Sequence, residues 1–103
     1  MNLKLDKNTR KFIDVEIELD SKKLKFTYFE KVTKQIKEMK KLSKAPGTKM
    51  YEIDELSFKQ FFDNFKGEKE EIEAVKEFYE ENGNFYDFIN LCDEEMGKLK
   101  KKA

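Results

Sequence analysis

The sequence predicts an α+β domain: an N-terminal antiparallel β-hairpin, with a candidate third strand, followed by about four short α-helices. Three observations carry this. Apolar and polar residues alternate singly through "FIDVEIEL" and "LKFTYF", which is the period of half-buried strands. From Phe29 onward the apolar spacing lengthens to the helical period. The chain has 103 residues, one domain's length and enough to bury a real core. Although 43% of the residues are charged, the chain carries 10 Phe and 4 Tyr, and disordered segments lack such aromatic content. The expected divisions are a hairpin region at 1–29, a basic helix at 30–44, a linker at 45–54 and an acidic helical region at 55–101.

Each element has its own justification. In the first strand Ile13, Val15, Ile17 and Leu19 fall on one face, and Asp14, Glu16 and Glu18 on the other. In the second, Leu24, Phe26 and Tyr28 share a face. Matching character across the pair sets Leu19 against Leu24, Ile17 against Phe26, Val15 against Tyr28 and Glu18 against Lys25, leaving "DSKK" between them. Leu3 and Leu5 suggest a short further strand.

Phe29, Val32, Ile36 and Met39 make the apolar stripe of the first helix, opposite a basic stripe of Lys34, Lys37, Lys41 and Lys44. "SKAPGTK" ends it, because Pro and Gly cannot continue a helix. Ser57 with Gln60 fits a capping box and Leu56 with Phe61 a hydrophobic staple, so a second helix is expected to start there. Phe58, Phe61, Phe62 and Phe65 then share one arc, with Gly67 as the stop. A third helix over 68–81 turns Ile72, Val75 and Tyr79 inward and leaves Phe78 to one side. Asn82-Gly83 ends it, and Asn84 caps a fourth helix whose stripe is Phe85, Phe88, Ile89, Cys92, Met96 and Leu99.

The residue inventory speaks against catalysis. There is no His, hence neither the commonest general base nor the commonest metal ligand. Cys92 lies on an apolar stripe, where a free thiol behaves as a small hydrophobe. No phosphate-binding loop, dinucleotide fingerprint or nucleophile elbow is present, and the many carboxylates lack calcium-loop spacing. No enzyme activity, catalytic residue, metal or cofactor is therefore expected. A lone Cys, no apolar run of membrane-spanning length and no signal-like N-terminus point to the cytoplasm, without a membrane partner.

Net charge is zero, but residues 1–50 count 14 basic against 7 acidic side chains and residues 51–103 count 8 against 15, balances of +7 and −7. Such asymmetry favours an electrostatic partner or head-to-tail self-association. The row Lys34, Lys37, Lys41, Lys44 raises nucleic acid as the alternative partner, a small regulatory protein using its lysine face. The zero balance and the single Arg weigh against it. Phe78 and Tyr86 lie off the main apolar stripes. With the four lysines, they are the candidate partner-binding residues.

The stretch "VKEFYEENGNFYDFINLCDEEM", Val75 to Met96, together with the order hairpin, basic helix, linker and short acidic helices, resembles the tail assembly chaperones of long-tailed bacteriophages and prophages. The resemblance implies a non-enzymatic protein in a bacterial host cell. Members of that family bind the long, apolar, helical tape measure protein, keep it soluble and help tail tube subunits assemble around it, and many also occur in a longer frameshifted form. The lysine-rich end, Lys98 and Lys100–Lys102, reads as a helix terminus that complements the helix dipole; the resemblance adds the alternative that such a shift occurs near Lys100–Lys102. The family contributes no catalytic residues and no fixed binding motif.

Overall fold

A computed structural model describes residues 10–102, with side chains to Leu99. The elements run β1 (Phe12–Leu19), β2 (Lys22–Phe29), α1 (Thr33–Lys44), α2 (Met50–Asp63), β3 (Phe65–Lys66), α3 (Lys69–Asn82) and α4 (Phe85–Lys102). The α+β expectation holds: an antiparallel sheet in the order β1-β2-β3 stands beside four helices.

The two strands of the hairpin lie where the alternation puts them, but in a different register. Leu19 pairs with Lys22, Ile17 with Leu24, Val15 with Phe26 and Ile13 with Tyr28, while Glu16 faces Lys25 and Glu18 faces Lys23. This is a slip of two residues from the expected pairing. Such a slip keeps every side chain on its face, so the apolar pattern cannot exclude it. The turn decides. Asp20 and Ser21 both adopt positive φ, 51° and 66°, the signature of a two-residue turn whose twist matches the strands. "DSKK" is thus half turn and half strand.

The third strand comes from Phe65–Lys66, which pairs antiparallel with Thr27 and Tyr28. The suggested strand at Leu3 and Leu5 lies outside the described residues. Phe65 is consequently not on the arc of α2. It enters the core from β3 and stacks on Phe26 at 4.5 Å between ring centroids. Gly67 is not a helix stop either, since α2 already ends at Asp63. Its smallness serves close approach: a Cβ there would lie 2.7 Å from Cδ1 of the buried Phe26. Gly67→Ala should therefore overpack the core and lower stability by about 1–3 kcal/mol. A urea midpoint unchanged from the parent would refute this.

Two helix starts differ from expectation for local reasons. Phe29 completes β2 and puts its ring 5.8 Å from Phe12, so α1 begins only at Thr33. There the Gln35 side chain accepts the Val32 N–H at 3.1 Å, satisfying one of the free amides of the first turn. Likewise the carboxylate of Glu52 accepts the Lys49 N–H at 3.2 Å, and α2 begins at Met50. The linker therefore shrinks to 45–49, and Ser57 and Gln60 lie inside α2 rather than at its start. The α3–α4 corner falls where expected, with Gly83 and Asn84 both at positive φ, but Asn84 does not act as the expected side-chain cap. Asn84 contributes its backbone carbonyl to Phe88 N–H at 3.4 Å.

The core sits between the sheet and α2, α3 and α4. Leu24, Phe26 and Tyr28 of β2 are buried, with Phe61, Phe62, Phe65, Val75, Phe85, Ile89, Cys92 and Met96. On the same face of β1, Ile13, Val15, Ile17 and Leu19 are only partly covered.

Candidate protein-binding surfaces

Helix α1 carries the basic row. Lys34, Lys37, Lys41 and Lys44 are all exposed, and none forms an ion pair among the described residues. The helix is strongly amphipathic by sequence, yet no residue in it is buried. Ile36 stays 42% exposed and neighbouring Val32 40%. What holds α1 in place is largely polar. Asn64, buried at the end of α2, donates to the Gln35 side chain at 2.9 Å and to the Gln60 carbonyl at 3.2 Å. Its own side-chain oxygen accepts from Arg10. Arg10 also reaches the Glu30 carbonyl at 2.8 Å and lies over the Phe29 ring. Gln60 donates to the Gln35 carbonyl at 2.9 Å, while its Oε1 lacks a partner among the described residues. Directional bonds fix the position of α1 while its apolar stripe stays only partly removed from water.

The other two candidates lie elsewhere. Tyr86, 46% exposed, walls a shallow cleft of about 360 Å³ together with Asp54, Phe58, Tyr79 and Phe85. Its hydroxyl donates to Asp54. Partial desolvation, then this hydrogen bond, push the phenol up to about 12, so it stays a neutral donor at physiological pH. Phe78, 42% exposed, is not part of that lining. Its ring meets Tyr79 edge-on at 5.3 Å. The fold therefore separates the lysine row, which contributes nothing to this cleft, from the aromatic pair.

Cys92 is buried. Burial, then the neighbouring charge of Asp93, push its thiol up to about 12, which leaves it protonated and a poor nucleophile. Asp93 also accepts the Tyr28 hydroxyl at 3.0 Å. Among the described residues, no helix is long and apolar enough to cross a membrane.

Sequence reasoning missed the most exposed apolar side chains, Met50 and Leu91. Met50 was hidden because its segment reads as linker until Glu52 is recognised as the helix-starting acceptor. Leu91 was findable, since it falls off the α4 stripe. The chain matched no protein-family model, no curated protein and no solved structure.

Proposed function

We propose that this chain is a non-enzymatic assembly chaperone of the phage-tail kind. In this reading it acts in the cytoplasm of a bacterial host, binds the tape measure protein, keeps it soluble and aids assembly of tube subunits around it. Support comes from the Val75–Met96 resemblance and, above all, from α1, an amphipathic helix that buries none of its residues. Covering Val32 and Ile36 with an apolar helix removes surface from water at about 25 cal/mol per Å². The flanking lysines supply long-range attraction to carboxylates on the partner and make the association salt-sensitive. Head-to-tail self-association through the +7 and −7 halves belongs to the same reading.

The test is co-expression with the long helical protein encoded beside this chain's gene. The parent should keep that protein soluble, and Ile36→Asp should abolish the effect while the variant still folds, since Ile36 is 42% exposed and no residue of α1 is fully buried. Equal solubility with parent, Ile36→Asp and no chaperone would end the proposal. The nucleic-acid alternative, supported by the same four exposed lysines, predicts the reverse dependence: duplex binding lost in Lys37→Glu/Lys41→Glu and untouched in Ile36→Asp.

A further inference from the structure

β1 is an edge strand. Among the described residues nothing pairs with its outer side. Opposite Lys11, the Glu30 N–H donates to the Lys11 carbonyl at 3.0 Å. In an antiparallel ladder, opposed residues alternate between bonded and non-bonded pairs. It follows that Ile13, Val15, Ile17 and Leu19 exchange bonds with β2, and that the backbone groups of Asp14, Glu16 and Glu18 point away from it. These groups are an open template for another strand.

Beside this edge the inner face of β1 is incompletely covered. A groove of about 660 Å³ runs between β1 and α4, with Ile13, Val15 and Ile17 on one side and Phe88, Leu91 and Leu99 on the other. Its charged lining residues, Asp14, Glu16 and Glu95, are all acidic. β2 shows what β1 accepts as a neighbour on each face of the sheet. Lys25 and Lys23 stand opposite Glu16 and Glu18, and Phe26 and Leu24 stand opposite Val15 and Ile17. Lys23 forms an ion pair with Glu16 at 3.9 Å. Asp14 and Glu18 have none among the described residues.

We infer that the outer edge of β1 is a strand-addition site for an extended segment of another protein, one whose side chains alternate between apolar and lysine or arginine. The apolar side chains would enter the groove against Leu91 and Leu99. The basic ones would lie beside Asp14, Glu16 and Glu18, repeating the pattern of β2. Backbone bonds supply affinity in this mode and the alternating side chains supply selectivity. A second copy pairing β1 with β1 is disfavoured, because acidic residues would face acidic residues. This surface is separate from α1, and the inference does not depend on the chaperone reading.

The experiment follows amide exchange by NMR in the full chain on addition of a short synthetic peptide alternating lysine and valine. The amides of Asp14, Glu16 and Glu18 should exchange fast in the free protein and slow with the peptide. A peptide alternating glutamate and valine should not bind. Nor should a lysine peptide N-methylated on its pairing edge, a control that leaves the protein untouched. Glu16→Lys/Glu18→Lys should weaken binding about tenfold. The inference is overturned if the lysine peptide fails to bind, or if the methylated or glutamate peptide binds equally. It is also overturned if the three amides are already protected in the free protein, which would assign the edge to the chain itself or, with a concentration dependence, to a second copy.

Discussion

Phe61→Ala should lower stability by about 3–5 kcal/mol, the range for truncating a fully buried aromatic ring. Phe61 is 1% exposed and sits at the centre of the ring cluster. Tyr28 stacks on it at 4.6 Å, Phe65 at 5.2 Å, Phe62 and Phe88 meet it at 5.2 Å, and Phe85 at 5.6 Å. These neighbours belong to β2, α2, β3 and α4, so no single element can move to close the cavity without breaking its other contacts. A chain of this length has a total stability of about 5–15 kcal/mol, and the loss is therefore a large fraction of the whole. Phe78→Ala removes a ring of the same size that is nearly half in water, and should cost below about 1 kcal/mol. Urea unfolding of the two variants decides. Equal shifts in midpoint would show that the ring cluster is not the centre of the fold.

Raising the pH above 9 should weaken the fold steeply. Cys92 is pushed from its ordinary 9.0 up to about 12, by burial first and then by Asp93. Tyr28 is pushed up from 10.0 by burial first, then by the charge of Asp93 and the hydrogen bond to it. Both groups stay neutral in the folded chain where the unfolded chain has already lost its protons. The sign follows from linkage: the stability these groups contribute is complete below pH 9 and is lost as pH rises towards the folded values. At about 1.4 kcal/mol per pH unit, Cys92 alone accounts for a loss on the order of 4 kcal/mol by about pH 12. Between pH 8 and 10 the parent should lose stability and Cys92→Ala should lose much less. Parallel pH profiles for the two proteins would remove Cys92 as the cause.

The candidate surfaces were legible to different depths. The lysine row of α1 follows from helical spacing alone, and all four side chains are exposed as the stripe requires. Phe78 and Tyr86 were recognised because they fall off the apolar stripes. What the one-dimensional pattern could not show is that these groups lie on separate surfaces, that Val32 and Ile36 stay about 40% exposed, or that among the described residues β1 presents an acidic edge that no other strand pairs with. Each depends on which neighbour arrives from a distant part of the chain. Asn64 is the clearest case. In sequence it is one polar residue among phenylalanines. In the fold its side chain joins α1, α2 and Arg10.

By itself the sequence determined the period of β1, β2 and the four helices, the apolar face of each, the place of the α3–α4 corner at Gly83-Asn84 and the apolar setting of Cys92. Those properties depend on residues within a few positions of one another. Only the tertiary structure decided the hairpin register, the origin of the third strand and the reason for Gly67. A two-residue slip preserves both faces of a strand, so the choice fell to the backbone of Asp20-Ser21. Phe65 could serve a helix arc or a strand equally well, and the open edge of β2 at Tyr28, with the Phe26 ring beside it, drew it into the sheet.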